Sequence, residues 1–322
     1  MPTSEDRDPM VSEAVPIRRV SELTGVNSVT LRAWERRYGL LKPLRTAKGH
    51  RLYRPEDIAR VEAIQRWLAR GVAVGQVRAL LDQGVDESAA GLSEADPWQQ
   101  HRQAMGQALA TLDVRALQKR LAALTAEYPM PVLVDHCLEP LLSQWRSDVG
   151  QGRPQYGATT QLMCLESVLL GHFASARHRQ TVPRSAPRLL LVDNGRTPDS
   201  VLPMILAYSL GVNRLQVDFF GPLPQAEWLY AVDLRDADAV LLYTDSVPEP
   251  GLGSVHRDLE RQLAVPVWLA GRQTALVEDA LRPHCLGQSL SEILAALAAR
   301  RPTWVDGPIS SDNGSAGSGV SQ

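Results

Sequence analysis

The sequence predicts a multidomain protein with a winged helix-turn-helix head, a four-helix bundle and an α/β domain built on a doubly wound parallel sheet. Three observations predict this order. Two short amphipathic helices separated by a glycine precede a basic hairpin pattern within residues 16–84. Four longer helical patterns occupy residues 98–180. Short apolar strands then alternate with helices over residues 187–301, which is typical of a parallel sheet.

The basic residues are concentrated in the head. Residues 16–84 contain 14 Lys and Arg against 6 Asp and Glu, a balance of +8. The rest of the chain has 20 of the 34 basic residues and 30 of the 36 acidic ones, a balance of −10. A basic head on an acidic body predicts that the head alone binds a polyanion.

Cysteine usage and hydropathy argue against several classes of protein. The three cysteines, Cys137, Cys164 and Cys285, are far apart and form no CxxC or Cys/His cluster, so we expect buried thiols and no metal site. No run of about 18 apolar residues is present. The acidic N-terminus lacks a signal-peptide core, so a cytoplasmic protein is expected.

Local signals place the elements of the head. Asn27 or Ser28 can cap the second helix, in which Val29 and Leu31 are expected to face the core. Lys48 is expected at the tip of the wing turn. The predicted elements are helices over residues 17–24, 29–38, 55–70 and 74–81, and a two-stranded wing over residues 41–53.

The second helix and the wing form the predicted DNA-binding surface. Helix arginines can reach base edges or phosphates in the major groove, whereas wing residues are expected to grip phosphates. Trp34 fits either the core or packing on the phosphate backbone. A merely solvated basic face is the alternative, disfavoured because the charges coincide with a helix-turn-helix. The predicted DNA-binding residues are Arg32, Arg36, Arg37, Tyr38, Arg45, Lys48, His50, Arg51 and Tyr53.

The head resembles the MerR family of transcription regulators. The phrases SELTGVNSVTLRAWERRYGLL, PLRTAKGHRLYRPEDI and IQRWLARGVAVGQVRALL follow that family's pattern almost throughout. The version AWERRY followed by GHR is similar to the subgroup that includes CarH/LitR photoreceptor regulators and MlrA-like regulators. The resemblance implies a regulator that binds double-stranded, roughly palindromic promoter DNA as a dimer or higher homo-oligomer. It also implies RNA polymerase and a signalling protein as candidate partners.

The bundle and the Rossmann-like sheet, for which a flavodoxin-like strand order is expected, resemble the cobalamin-binding module of CarH/LitR regulators. In that module an Asp-x-His-x-x-Gly motif follows the first strand, and its His ligates cobalt. Here Arg196 occupies the His position in the loop that begins at Asn194, and a guanidinium has no lone pair to offer. Asp199 occupies the Gly position, where the backbone would approach the corrin closely.

The helical cap of that module carries a Trp followed by a Glu-His pair. Trp145 matches the Trp, but Gln155 and Tyr156 replace the pair. We therefore expect no bound cobalamin, and a signal that comes from a partner protein or another ligand. The alternative is a cobalamin-dependent regulator that senses light or cobalamin. The six doubtful cofactor positions are Trp145, Gln155, Tyr156, Asn194, Arg196 and Asp199.

The remaining polar and aromatic candidates have ordinary structural interpretations. Core packing is favoured for Trp145 over a ligand role. His136 and His172 are expected to be structural or exposed, and His178 solvated. Asp193 ends the first strand of the sheet, where both a ligand role and loop capping remain open.

No catalytic constellation stands out in the sequence, so we expect a protein that is not an enzyme. A corrinoid-dependent mutase or methyltransferase would need the missing cobalt ligand. The predicted organisation is disorder over residues 1–15, head 16–84, linker 85–97, bundle 98–180, sheet domain 187–301 and a disordered tail 302–322.

Overall fold

The computed structural model describes residues 14–46, 48–84, 97–150, 156–193, 201–244, 252–263 and 265–300. The predicted linker over residues 85–97, except its last residue, and the predicted tail over residues 302–322 lie outside them, as do residues 1–13. The described head contains helices α1 (Ile17–Thr24), α2 (Ser28–Ala33, continued by a π-helical turn Trp34–Tyr38), α3 (Pro55–Ala69) and α4 (Val74–Asp82). Its strands are β1 (Val15–Pro16), β2 (Leu44–Arg45) and β3 (Arg51–Tyr53).

The helix-turn-helix forms where the glycine and the cap predict it. Gly25 ends α1 with φ +68°, a left-handed conformation that favours glycine. The Asn27 side chain then accepts a hydrogen bond of 2.9 Å from the Val29 backbone nitrogen and starts α2. The expectation that Val29 faces the core was wrong, because its side chain is 51% exposed. Thr30 and Leu31 begin the buried stripe instead.

The small sheet of the head has three strands rather than the two that were expected. β3 is central and pairs antiparallel with β2 on one side and with β1 on the other. Val15 pairs with Tyr53 and Leu44 with Leu52, so the segment before α1 is tied to the hairpin β2–β3. The prediction of disorder up to residue 15 was therefore wrong at Val15.

Four helices follow, as predicted for residues 98–180. Each presents buried apolar residues at helical spacing, for example Leu117, Leu121 and Leu124 on the second of them. The last of the four packs against the other three. The helices are α5 (Pro97–Ala110), α6 (Val114–Glu127), α7 (Met130–Leu133, a π-helical turn Val134–Leu138, then Glu139–Gly150) and α8 (Ala158–His178).

A five-stranded parallel sheet completes the fold. Its strands are β4 (Arg188–Asp193), β5 (Gln216–Pro222), β6 (Ala239–Tyr243), β7 (Val267–Ala270) and β8 (Cys285–Gly287). The order β5-β4-β6-β7-β8 corresponds to 2-1-3-4-5, the flavodoxin-like order that was expected. The helices between and after them are α9 (Val201–Val212), α10 (Gln225–Arg235), α11 (Leu252–Leu263) and α12 (Leu290–Arg300), with 3₁₀ turns at Arg272–Leu276 and Asp279–His284.

Alternate residues of the strands face two different layers, as the pleat of a sheet requires. Leu189 and Leu191 join an apolar cluster that also contains α9, α12, the four-helix segment and the head. Leu190 and Val192 join a separate cluster with residues of α10 and α11. One buried core therefore runs from the head to one face of the sheet. Across the described residues, no helix has the length and apolarity needed to cross a bilayer.

Gly271, directly after β7, offers a test of the sheet geometry. Its φ is +115°, and a Cβ there would collide with the Thr244 carbonyl oxygen at the end of β6. Gly271→Ala should therefore destabilise the protein by about 1–3 kcal/mol from backbone strain alone, measured as a loss of stability in urea or thermal unfolding. Gly171→Ala is the matched control, because a Cβ there meets nothing within 4 Å. It should be neutral or stabilising by about 0.5–1 kcal/mol, since Ala replaces Gly inside a helix. Equal stability of the two variants would contradict the packing described here.

Candidate DNA-binding surface

Helix α2 presents arginines on the face opposite its buried stripe. Leu31 and Trp34 are fully buried, whereas Arg32 and Arg36 are exposed. The helix ends at Gly39 with φ +61°, again the left-handed conformation. The helix therefore ends where the sequence predicted, and Arg32 and Arg36 lie on its exposed side.

The hairpin β2–β3 carries the second group of cations. Its turn closes through backbone hydrogen bonds between Thr46 and His50 (2.9 Å) and between Gly49 and Thr46 (2.8 Å). Lys48 and His50 are exposed at this turn. Arg45 lies on β2 with a side chain 52% exposed, and Arg51 begins β3. A second cationic surface thus stands beside α2.

Glu35 connects the helix to the hairpin. Its carboxylate accepts hydrogen bonds from Arg45 Nη2 at 2.7 Å and from Arg51 Nη2 at 3.3 Å, and it also pairs with Arg51 Nε. Burial opposes its ionisation, but the hydrogen bonds and charges of Arg51 and Arg45 outweigh burial and hold the pKa of Glu35 below its usual value. The sequence does not predict these pairings of Glu35, because its partners are 10 and 16 residues away.

Tyr53 does not belong to this surface, contrary to expectation. Its side chain is 0% exposed and lies in the core of the head. Burial, followed by the nearby charge of Glu35, raises its pKa to about 12. A phenol that is completely covered cannot grip a phosphate. Arg51 and Tyr53 are two residues apart on β3 and so share one face of the strand. Packing against the core of the head, rather than strand alternation, buries Tyr53.

The comparisons with known proteins agree with this geometry. Residues 15–84 match the model of the MerR HTH family regulatory proteins. These residues form a MerR-family helix-turn-helix domain.

Two curated relatives extend the likeness beyond the MerR-type head. The HTH-type transcriptional regulator MlrA of Escherichia coli (strain K12) is 34% identical over 169 residues, which is 51% of this chain and 64% of that protein. The HTH-type transcriptional repressor CarH of Myxococcus xanthus is 32% identical over 189 residues, 54% of this chain and 62% of that protein. The matches thus cover a little under two thirds of the length of these relatives.

Among solved structures, the methanol:cobalamin methyltransferase complex MtaBC from Methanosarcina barkeri aligns with 71% of this chain and 93% of its own. The identity is 14% and the TM-score 0.31. A novel cobalamin-binding protein from Desulfitobacterium hafniense DCB-2 aligns with 62% of this chain at a TM-score of 0.30. At these scores neither likeness carries an argument about this chain.

The MerR-type head is packed directly on α6 through the same helix that carries its arginines. Trp34 is buried, and its Nε1 donates a 2.8 Å hydrogen bond to the Glu127 carbonyl oxygen, which settles its role in favour of the core. Arg37, 57% exposed, forms a 2.8 Å ion pair with the Glu127 carboxylate. Tyr38 is partly covered, and burial followed by the charge of Glu127 raises its pKa. Arg37 and Tyr38 therefore lie at the edge of the predicted surface, against the body.

Several of the doubtful cofactor positions cannot be placed on the fold. Gln155, Asn194, Arg196 and Asp199 lie outside the described residues. Trp145 is partly buried on α7 and packs against the main core, consistent with the core role that was favoured. Tyr156 precedes α8 and is fully exposed.

The other polar candidates have local partners. His136 stacks on Trp98 with ring centroids 5.9 Å apart, and His172 lies edge-on to Phe173 at 5.1 Å. His178 is exposed at the end of α8. Asp193 is buried at the carboxyl end of β4, beside Tyr243 of β6.

The four-helix segment contacts the carboxyl edge of the sheet directly. Asp135 of α7 accepts hydrogen bonds from the backbone nitrogens of Leu290 (3.2 Å) and Ser291 (3.4 Å) at the start of α12. Burial raises the pKa of Asp135 above its usual value in spite of these bonds. Arg272, just after β7, donates a 2.9 Å hydrogen bond to Ser143 Oγ on α7. A cavity in this interface, lined by residues of α7, α9, α12 and Tyr243, has a volume of ≈ 20 Å³.

The burial of Tyr53 leads to a prediction about DNA binding. Its Oη has no hydrogen-bond partner among the described residues. Tyr53→Phe should leave DNA affinity unchanged within about twofold and should raise stability by up to about 1 kcal/mol, since a buried unpaired hydroxyl is removed. Tyr53→Ala should lower stability by about 3–5 kcal/mol through the cavity that it leaves. Electrophoretic mobility shift and urea unfolding measure the two effects. A phenol that contacts phosphate would instead make the Phe variant bind DNA more weakly.

Proposed function

We propose that this chain is a cytoplasmic, sequence-specific DNA-binding transcription regulator of the MerR family. The observation that carries the proposal is the exposed cationic surface of α2 and the hairpin β2–β3, held in one arrangement by Glu35. This surface lies within the MerR-type head. Two relatives that share about half of this chain are named as a transcriptional regulator and a transcriptional repressor.

The roles of the cations follow from their positions. The hairpin acts as the wing of a winged helix-turn-helix, and Lys48 and His50 at its turn contact phosphates and set the register. Arg32 and Arg36 on α2 enter the major groove, where a guanidinium can bond guanine in a bidentate manner. Arg45 and Arg51 are each bound to Glu35, so they combine phosphate attraction with the alignment of the wing.

The assembly on DNA is also part of the proposal. One head reads one half-site, and a dimer of the chain reads a roughly palindromic operator. The four helices α5–α8 act as a bundle that, with the sheet, supplies the contacts between copies. RNA polymerase and a signalling protein are the proposed protein partners. The proposed bounds are 16–84 for the head, 98–180 for the bundle and 187–301 for the sheet domain.

The direct contact between the four-helix segment and the sheet argues against bound cobalamin. The resemblance to CarH/LitR modules would place a corrin between these two layers. Asp135 and Arg272 instead join them by hydrogen bonds, with a cavity of ≈ 20 Å³ among the described residues. Pockets for drug-sized ligands are roughly 300–1,000 Å³. These contacts support the proposal that the chain takes its signal without bound cobalamin.

A signal can reach the head from the body without cobalamin. A cleft of ≈ 210 Å³ lies where α1 and α3 of the head meet α9 and α12, and mostly apolar residues line it, among them Leu23, Leu210 and Leu297. A small apolar ligand or a partner's side chain in this cleft would act on the orientation of the head. The competing function is a cobalamin-dependent sensor of light or cobalamin, which the resemblance to the CarH/LitR module implies.

The DNA-binding proposal predicts a specific effect of Arg36→Ala. The variant should lose about 1–3 kcal/mol of affinity for operator DNA, because a side chain that reaches a base edge is removed. Wild-type affinity should fall steeply as salt rises, since phosphate contacts release counterions. Footprinting on DNA upstream of its own gene supplies the operator, and fluorescence anisotropy measures the affinity at several salt concentrations.

Arg115→Ala is the matched control for this experiment, because Arg115 is an exposed arginine on α6, outside the head. It should bind as wild type does. If Arg36→Ala and Arg115→Ala both bind DNA with wild-type affinity, α2 does not contact DNA. If both lose the same affinity, the effect comes from net charge.

The visible spectrum of the purified protein tests the proposal that the chain does not bind cobalamin. The full chain, incubated with adenosylcobalamin or hydroxocobalamin in the dark and then desalted, should retain less than stoichiometric corrinoid absorbance. Its affinity for operator DNA should be the same with and without cobalamin and light. Stoichiometric retention of the corrinoid would reject the proposed cobalamin-free signalling and establish the competing function.

A further inference from the structure

Three potential metal ligands meet on the flank of the sheet that faces away from the head. His256 and Glu260 lie one turn apart on α11, and His284 ends the 3₁₀ turn that precedes β8. One ligand atom from each of the three residues lies within 4.8 Å of the other two. Sequence reasoning expected no metal site, because it searched for cysteines and for close Cys/His spacing. His284 is 24 residues beyond Glu260, so only the fold brings the group together.

The hydrogen bond of His256 determines which of its nitrogens is available. The ring is buried, at 1% exposure, and Nε2 lies 2.8 Å from the Val267 carbonyl oxygen. A carbonyl can only accept, so Nε2 carries the proton of the neutral ring and Nδ1 keeps a lone pair. Histidines that bind metals are usually oriented by such a bond from the other ring nitrogen.

The Nδ1 lone pair of His256 faces the carboxylate of Glu260, which is itself an electron-pair donor and offers no hydrogen. Its Nδ1 lies 3.6 Å from Glu260 Oε2, and Glu260 Oε1 lies 3.3 Å from His284 Nδ1. Both distances exceed the range of good N–H···O hydrogen bonds, which is about 2.7–3.2 Å. Ligands about 2.0–2.1 Å from a tetrahedral zinc ion lie roughly 3.3 Å from one another. The two distances run to different oxygens of Glu260, so its carboxylate lies between the two imidazoles, where all three side chains could share one cation.

The chemistry of the three donors selects the class of ion. Imidazole nitrogens with one carboxylate favour zinc and neighbouring first-row transition metals over magnesium or calcium, which prefer oxygen ligands. Two histidines and one glutamate are also a known donor set for zinc. His284 and Glu260 are about one third exposed, at 34% and 33%, so an ion can enter from solvent and keep a water as fourth ligand.

We infer that His256, Glu260 and His284 form a binding site for a divalent transition-metal ion, with Zn²⁺ the best match. The ion joins α11 to the turn Asp279–His284 and so to the edge strand β8. Behind β8 begins α12, whose first residues are bonded to Asp135 of α7. The metal therefore stabilises the edge of the sheet that also contacts the four-helix segment.

Cobalt and zinc titrations of the full chain test this inference. After treatment with a chelator and dialysis, Co²⁺ should bind at one ion per chain and give the visible d–d absorbance of a low-coordinate nitrogen and oxygen site. Thiolate charge-transfer bands should be absent, since the neighbouring Cys285 is not part of the donor set. Zn²⁺ should displace Co²⁺ and raise the midpoint of thermal unfolding, whereas Mg²⁺ should do neither.

The partly exposed ligands give the informative variants, because replacing buried His256 risks unfolding the domain. Glu260→Gln and His284→Ala should each weaken Co²⁺ binding at least about tenfold while keeping the metal-free unfolding midpoint near that of wild type. His178→Ala removes an exposed histidine elsewhere and should bind Co²⁺ as wild type does. The inference is rejected if Co²⁺ does not saturate at one per chain, if a thiolate band accompanies binding, or if Glu260→Gln and His284→Ala bind as tightly as wild type.

Discussion

The burial of Trp34 is the packing constraint on which the arrangement of the molecule depends. Its indole lies in the core at the C-terminal half of α2, and its nitrogen is satisfied by a carbonyl at the end of α6, 93 residues away. Removing a buried donor from its acceptor costs about 1–3 kcal/mol, so this bond favours one orientation of the head on the body. The helix that would read DNA is thus also the helix that anchors the head.

The anchoring of α2 has a consequence for its charges. Arg37 is drawn to Glu127, while Arg32 and Arg36 remain exposed on the outer side of the helix. An exposed ion pair contributes only about 0–1 kcal/mol, so Arg37 can exchange this partner for a phosphate at little cost. The contact between the head and α6 therefore leaves most of the cationic surface exposed. The edge of that surface at Arg37 is bound to the body.

Glu35 solves a different physical problem, the repulsion among cations crowded on the helix and the hairpin. A carboxylate that is 14% exposed interacts with Arg45 and Arg51 in surroundings that screen less than open water. It neutralises part of the repulsion and fixes the distance between α2 and β3. Repulsion among like charges destabilises a compact structure, so this internal counter-charge stabilises the cationic surface.

Local signals in the sequence determined the elements of this protein, and the tertiary structure decided what those elements face. Asn27 caps a helix, left-handed glycines end helices, and apolar residues recur every two positions in strands or every three to four in helices. These effects act within one or two turns of chain, so the sequence alone determines where the helices and strands lie. The concentration of charge in the head likewise required no structure. The burial of Tyr53, the exposure of Val29 and the third strand at Val15 depended on packing between distant segments. The same holds for the Trp34–Glu127 bond and for the meeting of His256, Glu260 and His284, since contacts between residues far apart in the chain exist only once the core has formed.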